Sequence, residues 1–380
     1  MRKLLFCAID FYWPKKISLA ETTAEAHDSI AEIFSNKLFK IKNHFMPPLK
    51  IYTYLITRYN IFVNLLSYYV NRFYKKFVAS LEKHYCKTCI LIAPVDIMDS
   101  MKGMILEGGA MRGMFTCGIT DVFMENGIDF DGIIGVSAGA TFGCNYKSKQ
   151  PGRAIRYNTK FSRDSHYGTF RNLMRNGDLY DAKFCYEDIP FKLDLFDVKT
   201  YAENPLKFYV VVSDLETGKP IVHEIPKGDR DDLLWMRASA SLPLVSTPVV
   251  IEGKRYLDGG ITSSIPLKQF MEMGYDRNIV ILTRTREYVK KPSSFAILMK
   301  FILRKYPNLV KAMINRHIMY DEEKTFVFEQ EKLGNCYVIA PEVDVGISRT
   351  EHNPNELRRV YEMGRQAGIK HLEAVKEYLK

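Results

Sequence analysis

The first hundred residues contain no glycine, and all 23 glycines of the 380-residue chain follow them. An average usage of about 7% would put roughly seven in that first hundred. Tight turns, close backbone approaches and loops that present bare amides depend on glycine, so such structure is confined to residues after 100. Charge divides at the same place. Residues 1–100 carry 14 basic and 8 acidic side chains, whereas residues 101–380 carry 40 and 36, so the net +10 belongs mainly to the N-terminal quarter. At 47% apolar and 26% charged, the chain has the composition of a globular protein, which excludes a collagen-like, coiled-coil or wholly disordered polymer.

The N-terminal segment imitates two targeting devices and fits neither. Arg2-Lys3 followed by LLFCAI opens like a signal peptide, but Asp10 ends the apolar run short of the length an h-region needs. Residues 51–70 have the length of a membrane span, yet Arg58, Asn60 and Asn64 lie inside it, and a central arginine alone costs about 2.5–3.5 kcal/mol. Its tyrosines, phenylalanines and trailing lysines suit an amphipathic helix on an anionic membrane surface. The other reading is an A/T-rich message translated from too early a start, with Met98, Met101 and Met104 downstream. No function is assigned to residues 1–97.

The seven cysteines are odd in number and scattered, which argues for a reducing compartment over a secreted disulfide framework. Cys86 and Cys89 form a C-x-x-C with only His84 nearby, too few ligands for a structural zinc. No metal cluster is expected among Asp99, Asp129, Asp131, Asp178 and Asp181, and no cofactor is implied.

From Met104 the texture becomes an alternation of short β-branched runs, glycine turns and amphipathic stretches. Strands are predicted at 104–109 and 130–136, each followed by a helix, at 111–126 and from Ala138. This βαβα order predicts a parallel sheet covered by helices. Residues 206–214 and 219–225 read as a hairpin or strand pair, 277–283 and 336–341 as buried strands, and 229–240, 265–274, 293–304 and 354–379 as helices. KKPSS at 290–294 is the only linker-like stretch, too short to insist on a boundary. A single α/β domain over 101–380 is expected.

Three motifs carry chemistry. Gly135-Val136-Ser137-Ala138-Gly139 is a G-x-S-x-G placed where a strand meets a helix, the setting in which small neighbours hold a serine in a strained, exposed turn. Glu107-Gly108-Gly109-Ala110-Met111-Arg112-Gly113 is a second glycine turn between a strand and a helix. As a dinucleotide fingerprint it fails, because Ala110 takes the second glycine position and the acids at Asp129 and Asp131 precede a strand. As an oxyanion hole it succeeds, since small residues leave successive amides free. The third motif, Arg255-Tyr256-Leu257-Asp258-Gly259-Gly260, runs a short strand into a glycine turn and presents a carboxylate. None of His166, His223, His317, His352 or His371 sits in such a turn.

These blocks, in this order, resemble those of the patatin-like phospholipases, and MRASASLPLVSTPV at 236–249 is similar to the family's small-residue helix end. The continuation after Asp258, EYVKKP at 287–292 and the final EMGRQAGIKHL helix look most like a bacterial cytosolic branch, and the likeness reaches the C-terminus but not the first hundred residues. The resemblance implies a three-layer α/β/α sandwich with a mainly parallel sheet and a Ser-Asp dyad without histidine. It implies Ser137 as nucleophile, Asp258 as general base, and the amides of Gly108, Gly109, Ala110 and Met111 as oxyanion hole. Gly113, Gly135, Gly139, Gly259 and Gly260 would support these turns. Arg112 would brace the glycine loop through backbone carbonyls, with a lipid-phosphate contact as its alternative role. The family's block usually has a third glycine where Ala110 stands, which would weaken activity if the position needs φ > 0; plant members often carry Asp at the Glu107 position.

The function expected is hydrolysis of fatty-acyl esters of phospholipids or related lipids, in the cytoplasm or at a membrane surface. Two alternatives stay open: a carboxylesterase with a histidine triad, and a lipid-binding protein with a disabled oxyanion hole. A nucleic-acid role has little behind it, because the basic excess lies in the N-terminal segment. Phe115, Phe123, Phe142 and Phe170 are read as core aromatics, with an acyl-groove lining as the second possibility. Head group, acyl chain, cleaved position and oligomeric state are not legible.

Overall fold

The computed structural model describes residues 100–294 and 296–380. The described residues belong to one compact unit. The signal-like start, residues 51–70 and the Cys86/Cys89 pair lie outside the described residues. Among the described residues no helix is long and apolar enough to cross a membrane.

The elements follow in the order β1 (Met101–Leu106), a 3-10 turn (Ala110–Arg112), α1 (Gly113–Glu125), β2 (Gly132–Val136), α2 (Ala138–Lys147), α3 (Arg153–Phe161) and α4 (Phe170–Asn176). A π-helical segment (Phe184–Leu193) and α5 (Val198–Glu203) lead to β3 (Lys207–Asp214), β4 (Pro220–Glu224), α6 (Arg230–Ala240), β5 (Val249–Ile251) and β6 (Lys254–Asp258). Then come α7 (Leu267–Glu272), β7 (Tyr275–Ile281), α8 (Ala296–Ile302), α9 (Pro307–Lys332), β8 (Cys336–Ile339) and α10 (Pro354–Tyr378).

The strands form one sheet in the order β5-β6-β3-β2-β1-β7-β8, with β4 also paired to β3. Pairing is parallel from β3 through β8 and antiparallel where β4, β5 and β6 join. Alternation along the strands divides the core into two faces, because successive side chains of a strand point to opposite sides. Met104, Leu106, Ile133, Phe208, Val210, Ile279 and Ile281 pack with Phe115, Tyr157 and Val360 of α1, α3 and α10. Ile105, Ile134, Tyr209, Val211 and Val280 pack with Phe270 of α7 and Tyr320 and Val327 of α9. The result is a three-layer α/β/α sandwich.

One sequence expectation is corrected here, and one element was not foreseen. The first strand ends at Leu106 rather than Gly109, because the chain must leave the sheet for the glycine turn. A single helix, α9, occupies 26 residues that carried no prediction. Its apolar residues are not gathered on one face, and polar residues on its inner face hid the amphipathic period.

Candidate active site

β2 ends at Val136 and the next residue turns sharply, with Ser137 at φ 54°, ψ −115°. A non-glycine residue in this region carries local strain, which the surrounding close packing must hold. A Cβ at Gly135 would lie 2.4 Å from the Gly139 carbonyl oxygen, and one at Gly139 would lie 2.2 Å from that of Leu106. Only hydrogens fit there. The Ser137 amide donates to Ser239 Oγ at 3.0 Å, and Ser239 donates in turn to the Val211 carbonyl at 2.7 Å. This anchor comes from the small-residue end of α6, a role that the sequence pattern alone did not assign.

Asp258 ends β6, opposite Val212 of β3, whose neighbour Val211 pairs with Val136 of β2. One intervening strand thus sets the spacing between the two turns. Ser137 Oγ donates to Asp258 Oδ2 at 2.6 Å, and the Gly260 amide donates to Oδ1 at 2.8 Å. Asp258 is 1% exposed. Burial pushes its carboxyl above the ordinary aspartate value, while the nearby Arg316 guanidinium and the Ser137 hydrogen bond oppose the rise. A Cβ on Gly259 would strike the Val211 carbonyl oxygen at 2.1 Å, which leaves glycine as the residue that fits beside the aspartate.

Among the described residues the histidines are engaged elsewhere. His166 pairs with Asp164, His223 stacks on Trp235, His317 and His352 reach the carbonyls of Ile314 and Ser162, and His371 meets Tyr337.

The glycine turn lies directly against the elbow: a Cβ on Gly108 would be 2.9 Å from the Val136 carbonyl oxygen and 3.0 Å from Ser137 Cβ. Gly109 caps the 3-10 turn and Ala110 and Met111 begin it, and amides at a helix start have no intrahelical acceptor. Ala110 adopts φ 49°. The position therefore does demand the left-handed region, and alanine occupies it under strain. Gly113 opens α1 beside Ala138 and Phe142.

Arg112 departs from its expected role. Its Nε is buried without a hydrogen-bond partner, and among the described residues its side chain makes no bond to a loop carbonyl. The loop is braced by Glu107 instead, which is 3% exposed. Glu107 Oε2 accepts from the Thr283 amide at 2.5 Å and hydroxyl at 3.1 Å, and Oε1 accepts from Tyr320 at 2.9 Å.

Tyr320 belongs to α9, and its helical neighbours reach the aspartate turn. Arg316 Nε donates to the Gly260 carbonyl at 2.5 Å. Glu323 accepts from Ser263 Oγ at 2.6 Å and from the amides of Ser264 and Ile265 at 2.7 and 2.8 Å. Residues 316, 320 and 323 are four and three apart, which puts them on one helix face. That face ties both loops together.

Two cavities meet at Ser137. The larger, partly open, is lined by apolar and aromatic side chains including Met111, Phe142, Tyr157, Tyr186 and Leu233. Phe142 lines this cleft and Phe170 is 70% exposed, so of the four aromatics only Phe115 and Phe123 are buried core. The smaller opens beside Asp258 and the glycine turn and is lined by four arginines and a lysine.

Comparison with known proteins agrees with this architecture. Residues 104–271 match the family model described as patatin-like phospholipase, and residues 306–380 match a domain of unknown function, DUF6363. The chain therefore carries a domain of the patatin-like phospholipase family, a family of lipid acyl hydrolases. It is 26% identical over 294 residues to the uncharacterized protein YjjU of Escherichia coli K12, covering 73% of this chain and 79% of that one. It is 25% identical over 177 residues to the patatin-like phospholipase domain-containing protein ZK370.4 of Caenorhabditis elegans, covering 45% of this chain and 13% of that protein. Among solved structures, VipD from Legionella pneumophila aligns at 14% identity with a TM-score of 0.35, over 72% of this chain and 67% of that one.

Proposed function

We propose that this protein hydrolyses fatty-acyl esters of phospholipids or related lipids through a Ser137-Asp258 dyad. The observation that carries this reading is the 2.6 Å hydrogen bond between Ser137 Oγ, at the strained strand-to-helix turn, and buried Asp258. Ser137 Oγ attacks the ester carbonyl carbon as its proton passes to Asp258 Oδ2. The carbonyl π electrons move to oxygen, and the resulting oxyanion is met by the amides of Gly108, Gly109, Ala110 and Met111 and favoured by the α2 N-terminus. As the tetrahedral state collapses, the C–O bond to the alcohol breaks and the alcohol leaves with the proton from Asp258. Water then attacks the acyl-enzyme, Asp258 takes its proton, and the fatty acid departs as Ser137 Oγ is reprotonated.

Burial suits Asp258 to this work, since a raised carboxyl pKa makes a stronger base. The apolar cleft beside Ser137 has the lining an acyl chain requires.

The test is fluorophosphonate labelling of the full chain, read by intact mass. One adduct is expected on the parent, none on Ser137→Ala and slow labelling on Asp258→Asn. No adduct on well-folded parent protein would sink the reading.

A further inference from the structure

We infer that the smaller cavity is a phosphate-binding chamber, in which Arg112, Lys290, Arg316 and Arg349 hold a phosphate group beside Ser137. The inference rests on the hydrolase reading where the phosphate belongs to the substrate.

The chamber's charge is lopsided. Arg112, Arg284, Lys290, Arg316 and Arg349 line it against two carboxylates, Glu107 and Asp258. Those carboxylates already accept hydrogen bonds from Thr283, Tyr320, Ser137 and Gly260. Arg284 is satisfied by Asp344 at 2.8 Å. Among the described residues, the other four cations have no ion-pair partner. Arg112 is 8% exposed with an orphaned Nε, and Lys290 Nζ rests 4.4 Å from the centre of the Tyr320 ring.

Arg112 is buried and Lys290 and Arg316 are half-buried, while Arg349 is exposed; the first three are unfavourable together without an anion, because a desolvated charge needs a counter-charge. The groups register the strain: burial and the neighbouring arginines pull Lys290 down to about 7, and burial and Arg284 pull Arg112 down to about 10. Guanidinium forks match pairs of phosphate oxygens, and several cations converging on one small chamber suit a tetrahedral polyanion better than a single carboxylate.

Position gives the site its use. Both cavities share Ala110, Ser137, Leu242 and Arg349. An ester whose carbonyl sits at Ser137 can therefore send its acyl chain into the apolar cleft and an anionic alcohol portion into the chamber. Lys290 comes from the KKPSS stretch, and Arg316 and Arg349 come from the segment matching DUF6363. That C-terminal segment would then select the head group for the catalytic body.

The test compares 1-oleoylglycerol 3-phosphate with 1-oleoylglycerol, identical in acyl chain and differing in the phosphate. Full-length parent, Lys290→Gln, Arg349→Gln and Lys290→Arg are assayed, with Ser137 labelling to count competent sites in each. The ratio of kcat/KM, phosphate substrate over neutral, should fall about tenfold or more in each Gln variant and recover in Lys290→Arg. Calorimetric titration of inorganic phosphate reads the chamber without any turnover. Phosphate binding to the parent that is lost in the Gln variants, with an unchanged substrate ratio, would assign the chamber to free phosphate instead of a head group. An unchanged ratio together with no difference in phosphate binding overturns the inference. Failure of Ser137 to label in the parent would remove the hydrolase reading alone, and the titration would still decide the chamber.

Discussion

Two kinds of segment meet at Ser137, and they differ in how their residues are arranged along the chain. The glycine turn, the serine elbow and the aspartate turn are contiguous blocks, each at the end of a strand. The face of α9 that braces them is discontinuous, with Arg316, Tyr320 and Glu323 separated by turns of helix. The blocks carry the proposed chemistry because backbone geometry must be controlled residue by residue there. The helix carries support, because one rigid rod can reach loops that are distant in sequence.

Variants that strike each side should separate these contributions. The largest effect is expected from Ser137→Ala, which should abolish both the covalent adduct and fatty-acid release. Asp258→Asn should slow labelling about 10²–10⁴-fold, the usual worth of a positioned base. It should also melt higher than the parent at pH 8. Burial raises the folded pKa of Asp258 above its unfolded value of 3.8, so its ionisation opposes folding as pH rises through that window. The stability excess of the amide should therefore shrink towards pH 4. For the same reason the parent's labelling rate should fall with decreasing pH at a midpoint above the ordinary aspartate range. A variant no more stable than the parent at pH 8 would argue against a costly buried carboxylate.

On the helix side the expected losses are in stability. Glu323→Ala strands two amides and a hydroxyl, and should cost about 3 kcal/mol in urea unfolding. Tyr320→Phe removes one bond to Glu107 and should cost about 1 kcal/mol, with the pH profile of labelling kept. A shifted midpoint in Tyr320→Phe would show that the brace also tunes the dyad, and the division between chemistry and support would blur. The smallest effect is a gain. Ala110→Gly releases a left-handed alanine and should stabilise the fold by about 0.5–1 kcal/mol, the relief exceeding the extra chain entropy of glycine.

Much of the candidate site was legible because its requirements are local. A strand ending in Gly135-Val136-Ser137-Ala138-Gly139 states its own geometry, since Gly135 and Gly139 are places where a Cβ would collide with backbone. Glu107 was visible as a residue but not as a brace, because its partners, Thr283 and Tyr320, lie 176 and 213 residues away. The helix supplying Tyr320 escaped notice because it turns charged and hydroxyl-bearing residues inward, where the usual signal is apolar. Arg112 was read first as a loop brace and second as a lipid-phosphate contact; its head stands among other cations and makes no bond to a loop carbonyl among the described residues.

The sequence by itself determined the alternating strands and helices, the three sharp turns and the chemical identity of the groups on them. These follow from side-chain period, steric room and short-range backbone preference. Only the tertiary structure decided that Ala110 must adopt a positive φ, that Glu107 and α9 brace the two loops, and that Lys290, Arg316 and Arg349 converge beside the dyad. Convergence of that kind depends on strand order and helix docking, which bring together residues whose spacing along the chain carries no trace of the encounter.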